Sequence, residues 1–333
     1  MLKVIKLESF KIDNFDEIES FILSNKSNGE FINSLNFLSY HPSDRFVDDS
    51  IVIVDESTNK LVCIFMAATT LKDPQTIISH PGTTFAGPII SKKANISQIE
   101  NIISSISFYY LNKYNKIEIK LPPSFYNHQF IEEINYFLLK NGFIYSFNAL
   151  SNVINLTSLE RSDNYLLNLY DQKRRNQVRK TLKEELYIVE KKEIIDRALW
   201  ANMDSKVFEK FNSNLTHSYE EILHLKNLYP SNIEFYVCNR INDEYGALAV
   251  IFKFKNVFHT QYLDLNYNLS KEYPNLFLIH HLIDIAVNER FDYFSFGSST
   301  ENRGTILNNG LYNYKKGYGS GSSIMPIFVK NKE

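Results

Sequence analysis

Apolar positions along this chain follow two rhythms, and the order of those rhythms repeats. Short apolar or alternating runs predict strands over Ser50–Asp55 and Leu61–Leu71, joined across the polar turn STNK. Extended segments follow at Thr76–His80 and Gly87–Ile90. Positions 99, 102, 103, 106 and 110 are apolar, which predicts a helix over Ile96–Tyr114. Ile117–Leu121 reads as a strand, His128–Lys140 as a helix stopped by Asn141-Gly142, and Asn148–Leu156 as a strand. The second half runs through the same series. Ile233–Arg240 and Ala247–Phe254 predict a hairpin around NDEYG, and Val257–Leu265 a third strand. Asn275–Glu289 predicts a helix with Pro274 at its start, and Tyr293–Phe296 a strand. Asn308–Lys316 predicts a short helix ended by Gly317, and Ser322–Val329 a last strand. Each half also opens with helical pattern, at Phe15–Asn25 and at Tyr165–Leu186.

Antiparallel strands followed by helix, strand, helix and strand imply an α+β fold, a mixed and mostly antiparallel sheet flanked by helices. Two such series predict a duplicated domain, residues 1–157 and 158–333, with the boundary near Leu156–Asp163. A duplicated domain offers a cleft between its halves, a common place for a small-molecule site.

Composition narrows the function classes. Apolar residues make up 44% of the 333, enough for a large core. Lys+Arg 36 against Asp+Glu 38 leaves a net charge of -2, which argues against a dedicated DNA-binding protein. The two cysteines, Cys63 and Cys238, sit in apolar runs and point to buried thiols in a reducing cytoplasm. No apolar run reaches membrane-spanning length, the longest being Leu61–Ala68. Walker A, Gly-x-Ser-x-Gly, HExxH and Cys/His metal spacings are all missing, so no metal is expected.

Local charge departs from this neutral background in one stretch, YDQKRRNQVRKTLK, over Tyr170–Lys183. On a helix from Asp171 to Leu186, the stripe Val178, Leu182, Leu186 brings Arg175 and Arg179 beside the buried face. An inward arginine needs an anion, supplied by a domain carboxylate or by a ligand phosphate. Leu307, Leu311, Tyr314 and Tyr318 form another stripe, with Lys315 beside it and Lys316 turned away. His41-Pro42 cannot continue a helix, so His41 and Arg45 fall on a loop. In ISHPGTTFAGP, His80 and Thr84 flank a glycine turn that lets backbone N–H groups approach a ligand. Strict alternation along Val257–Leu265 puts Tyr262 and Asp264 on one face and His259 on the other. Either set could line a pocket.

The closing run FSFGSSTENRGTILNNGLYNYKKGYG resembles the signature of the FemAB-like branch of the GNAT acyltransferase superfamily. Phe296-Gly297 and Tyr314-Lys315-Lys316-Gly317-Tyr318-Gly319 match its Phe-Gly strand and Phe-Lys-x-x-Phe-Gly helix, with tyrosines for phenylalanines. Ser295 stands where that branch often has Asp. KRRNQVRK resembles the Arg-rich helix that opens its second domain, and YHPSDRF and SHPGTTFAGP resemble first-domain motifs of small bacterial members.

The resemblance implies tandem GNAT-like domains that transfer an acyl group directly to an amine. It implies acyl-CoA as donor co-substrate and, as acceptor, an amino sugar of a surface-polysaccharide precursor carried on a nucleotide. It gives Lys315 the role of binding donor phosphate or stabilising negative charge, with Tyr314 beside it. Arg175 and Arg179 would hold phosphate of donor or acceptor, His41 and Arg45 would bind acceptor, and His80 and Thr84 would bind substrate or cofactor. Asp264, His259 or Tyr262 would handle the proton. On this reading Lys315→Ala abolishes turnover and leaves the melting temperature nearly unchanged. The second reading is an aminoacyl-tRNA-dependent transferase acting on a cell-wall precursor. Bridge-building members carry a long helical arm for which Ile194–Tyr229 leaves no room, and this disfavours tRNA. Against the acyl-CoA reading, LNYNLSKEYPN has no glycine where GNAT enzymes place their pyrophosphate loop. A third reading is a non-catalytic binding module.

Overall fold

The computed structural model describes residues 1–24, 26–127, 132–159, 162–211 and 215–333. They gather into two compact units. One comprises Met1–Leu150, Glu301–Ile306 and Ile324–Glu333; the other comprises Ser151–Thr300 and Leu307–Ser323.

In the first unit, Leu2–Lys6, Ile51–Asp55, Lys60–Phe65 and Pro88–Ile90 form an antiparallel sheet in that order. Ile51–Val54 and Leu61–Phe65 are buried on both faces, as their unbroken apolar runs require. A second ladder runs Phe46–Asp48, Ala68–Thr70, Asp73–Ile78, Lys116–Lys120. Its last two strands are parallel, so a crossover must join them, and helix Ile96–Leu111 lies between them in sequence. Asn95 and Gln98 close a capping box at the start of that helix. Ile102, Ile103, Ile106 and Tyr110 make its buried stripe.

The second unit repeats the scheme. Tyr187–Lys192, Ile233–Arg240, Tyr245–Lys253 and Val257–Leu265 are antiparallel neighbours. Helix Pro274–Asn288 then leads to Tyr293–Ser298, parallel to Val257–Leu265. This helix carries nine buried residues and packs with Val178, Phe258, Phe294 and Tyr318 into the core of the unit.

The last strand of each series is exchanged. Ile144–Asn155 follows the first-half helix Glu132–Lys140, yet its residues 151–155 pair with Tyr293–Ser298. Gly321–Asn331 follows the second-half helix Asn309–Lys316, yet Ile327–Asn331 pair with Lys116–Lys120. Each unit is thus completed by a strand from the other half of the sequence.

Several elements differ from the pattern. Helix Tyr165–Leu186 is two helices, Tyr165–Leu169 and Gln172–Glu184, because Asp171 caps a new start through the Arg174 N–H. Strand Leu61–Leu71 breaks after Phe65 and resumes at Ala68–Thr70. Strands Leu2–Lys6, Phe46–Asp48 and Tyr187–Lys192 were not anticipated by periodicity. The region 194–229 holds helices Arg197–Phe211 and Tyr219–Leu228. The predicted start of His128–Lys140, at 128–131, lies outside the described residues, as do 160 and 161 at the expected boundary.

The alternation along Val257–Leu265 is also corrected. Thr260 faces Ile251 and Tyr262 faces Val250, so the strand bulges at Gln261. Opposed residues of an antiparallel ladder point to the same side. His259, Tyr262 and Asp264, opposite Phe252, Val250 and Leu248, therefore share one face.

Candidate functional site

The second unit concentrates unusual chemistry where its parallel pair ends. Val257, Phe258 and His259 pair with Tyr293, Phe294 and Ser295, and the pairing stops there. The His259 ring is buried, with Nδ1 3.1 Å from Ser295 Oγ. Gly297 N–H donates to the same Oγ at 3.2 Å. Gly297 has φ +69°, a left-handed conformation that suits glycine. A Cβ there would lie 3.1 Å from His259 Cε1.

Lys315 closes this corner. It is 5% exposed, and its Nζ donates to Gly297 O at 3.2 Å and Ser298 O at 2.5 Å. Burial pulls its pKa down to about 7, while the two carbonyls act the other way and favour the ammonium. His259 is pulled to about 3, first by burial and then by Lys315, so its ring stays neutral. A neutral ring with so low a pKa is a poor proton acceptor and a good fixed dipole. Asn152, fully buried, accepts from Ser299 Oγ at 2.6 Å and donates to Ser320 Oγ at 3.1 Å, fixing the backbone that follows Ser298.

The helix that carries Lys315 is gripped from the other side. Arg174 lies against the rings of Tyr314 and Tyr318, 4.6 and 4.5 Å from their centroids, and donates to Tyr314 O at 3.0 Å. Tyr314 OH accepts from Asn275 at 2.8 Å. A stripe through Val178, Leu182 and Leu186 does not single out Arg174. The helix ends at Glu184 and its buried residues are Val178 and Thr181, which turns Arg174 inward.

The other expected cations have different places. Arg175 spends its guanidinium on Leu167 O at 2.8 Å and Tyr170 O at 2.9 Å, tying down the short helix before it. Arg179 is exposed, not inward. Asp264 shares the face of His259, but both its oxygens accept from Lys206, at 2.8 and 3.0 Å, and one also accepts from Tyr245 OH at 2.7 Å. Tyr262 OH meets His217 Nδ1 at 2.6 Å, and burial pushes its pKa up to about 12. The structure therefore brings Lys315 together with His259, turns Tyr314 to Arg174 and Asn275, and gives Asp264 and Tyr262 other partners.

The first unit holds a second cluster. His41 Nδ1 lies 3.2 Å from Arg45, and the His41 ring stacks on His80 at 5.7 Å with Phe46 edge-on to both. Lys120 is half-buried nearby, with Nζ 2.7 Å from Thr83 O and a pKa lowered to about 8, first by desolvation. Burial, His41 and Lys120 pull His80 down to about 3. Gly82 leaves room for the His41 ring, since a Cβ there would lie 2.1 Å from His41 Nε2 and push the ring aside. Thr83 is the buried hydroxyl of this turn; Thr84 is exposed.

The connection where a glycine-rich loop was sought is a 3₁₀ helix, Tyr267–Glu272, ended by Tyr273 at φ 62°. Glu272 pairs there with Arg240 and accepts from Tyr187 OH. A carboxylate and a side-chain-bearing backbone suit a pyrophosphate poorly. Among the described residues, no His/Cys/Asp/Glu group is arranged to hold a metal ion, and no helix is long and apolar enough to cross a membrane.

No family model and no curated protein matches the chain. Solved structures do match its fold. FemX is 12% identical with a TM-score of 0.69, over 99% of this chain and 97% of FemX. A tandem GNAT protein from the clavulanic acid biosynthesis pathway is 6% identical with a TM-score of 0.58, over 100% and 99% of the two chains. The C-terminal domain of a putative lysylphosphatidylglycerol synthetase from Agrobacterium fabrum is 10% identical with a TM-score of 0.57, over 96% and 92%. The chain has the duplicated, FemAB-like GNAT fold.

Proposed function

We propose that a chain with this fold is an N-acyltransferase whose chemistry centres on Lys315. The observation that carries the reading is the buried Lys315 head at the end of the parallel strand pair, held on Gly297 O and Ser298 O beside a neutral His259. An ammonium has three N–H groups and two are engaged; the third can donate to the oxygen of a tetrahedral intermediate. The acceptor amine attacks the acyl carbon, the bond to the donor oxygen or sulfur breaks, and the amine proton leaves with the departing group. His259 and Ser295 position Gly297, and hence the carbonyl that Lys315 grips.

In this proposal the His41, Arg45, His80 and Lys120 cluster of the first unit binds an anionic group such as a phosphate. The proposed donor is an acyl-CoA. An aminoacyl ester is the second reading. It is favoured by the glycine-free connection Tyr267–Tyr273 with its Glu272, and by the shared fold with a putative lysylphosphatidylglycerol synthetase. Calorimetric titration with acetyl-CoA, with CoA as control, separates the donors. Saturable binding, lost in Lys315→Met, supports the thioester. Silence at millimolar ligand, with label passing from charged tRNA to an amine, supports the aminoacyl ester. Failure of both donors to yield product overturns the enzymatic reading.

A further inference from the structure

The grip on the Lys315 helix is more elaborate than helix packing requires. Asp171 N–H donates to Gly317 O at 3.0 Å, and Asp171 Oδ1 accepts from Arg174 N–H at 2.7 Å. Gly317 permits this approach: a Cβ would lie 3.1 Å from Asp171 Oδ2 and 3.3 Å from Arg174 Nε. The Arg174 guanidinium stacks on Tyr314 and Tyr318 and bonds Tyr314 O. Tyr318 in turn is fully buried against Tyr170 and Phe296, with ring centroids 5.3 and 5.4 Å away. The residues just before and just after Lys315 are therefore fixed, at 314, 317 and 318, by one arginine and its capping aspartate. Lys315 itself reaches away from this grip, to the carbonyls of Gly297 and Ser298.

We propose that Arg174 is a positioning residue for Lys315, a splint that keeps the Lys315 amine seated on the Gly297 and Ser298 carbonyls. A lysine has four rotatable bonds, and burial of its head holds only while the backbone beneath it stays put. Stacking between two rings four residues apart sets the position and the rotation of that last helical turn. Lysine at 174 would keep a donor for Tyr314 O but lose the planar stack.

The inference rests on the proposed function only for its kinetic arm. Its main test is the protonation of Lys315 itself, followed by NMR in protein labelled with ¹³Cε-lysine and assigned from the signal missing in Lys315→Arg. The titratable group that interacts with the Lys315 head is His259, on strand Val257–Leu265; Arg174, Tyr314 and Tyr318 lie on the side of the helix away from it, and Lys120, in the other unit, serves as internal control. Wild-type protein should show Lys315 titrating near 7 and Lys120 near 8. In Arg174→Met the Lys315 midpoint should move up toward the ordinary lysine range near 10 while Lys120 stays. Arg174→Lys should fall between. Where acyl transfer is measurable, kcat should drop roughly 100-fold with KM little changed. An unmoved Lys315 midpoint in a folded Arg174→Met protein overturns the proposal. So does a joint drift of Lys315 and Lys120, which marks general loosening. If Arg174→Met does not fold, an unmoved midpoint in Arg174→Lys overturns it. Should no donor prove competent, the NMR result still decides the splint, and only the proposed function falls.

Discussion

Lys315 does two jobs that one substitution separates from chemistry only in part. Its head satisfies two carbonyls, and Lys315→Ala leaves both without that donor in a buried corner. Ser298 is exposed and its carbonyl can turn to water, whereas the half-buried Gly297 carbonyl loses a bond worth about 1 kcal/mol, so the variant should melt a few degrees lower as well as lose turnover. This revises the expectation that its melting temperature stays put, and a thermal melt run beside an initial-rate assay checks it. The pH dependence has a definite sign. The folded pKa is near 7 and the free lysine value is 10.5, so between them the unfolded chain binds more protons. Stability should rise with pH across that window, and the difference between wild type and Lys315→Met, read by denaturant titration at stepped pH, isolates the contribution. Activity should behave oppositely on this limb. If the ammonium stabilises the oxyanion, kcat falls as pH climbs past about 7, and Lys315→Arg, charged throughout, removes the fall. A rate that instead climbs through 7 in wild type assigns the amine, not the ammonium, as the working form.

Elements set the geometry that those residues use. Tyr293–Ser298 delivers Ser295 and Gly297, and the left-handed Gly297 turns the next carbonyls toward Lys315. Gly297→Ala imposes an unfavourable conformation worth roughly 1–2 kcal/mol and presses on the His259 ring. It should lower both melting temperature and turnover, whereas Gly310→Ala, with only Asn308 Oδ1 nearby at 3.6 Å, should leave both intact. Much at this scale was legible in the sequence. Helix Ile96–Leu111 has a strong single-period pattern that its buried stripe follows, and strands Ile233–Arg240 and Val257–Leu265 stand where their apolar and β-branched runs put them. Lys315 and Lys316 differ in burial as the stripe through Tyr314 and Tyr318 implies. What was illegible has local causes. One extra residue at Gln261 reverses a face, and nothing in FHTQYLDL marks it. The stripe through Leu182 and Leu186 assumed a helix that in fact stops at Glu184, and so Arg179 was chosen over Arg174.

At the scale of the whole molecule, the exchanged strands were out of reach of pattern reading. Periodicity assigns a strand; it does not say which neighbour the strand pairs with. Ile144–Asn155 and Gly321–Asn331 look like ordinary closing strands of their own halves. Their pairing predicts that fragments 1–157 and 158–333, made separately, fail to fold, since each lacks a strand its sheet needs and exposes an unpaired edge. Made together, they should recover native far-ultraviolet dichroism and co-purify. Two independently folded fragments would show that the exchange is dispensable.

The same exchange sets a timetable for the nascent chain. Lys116–Lys120 leaves the ribosome early, but its partner Ile327–Asn331 is more than two hundred residues further on. At roughly 5–20 residues per second, the first unit waits some tens of seconds with a bare strand edge. It cannot finish folding before most of the second unit has been translated. A protein whose first-made half is completed last depends, during synthesis, on something to shield that edge. Slowing translation past residue 120 should therefore increase aggregation rather than relieve it.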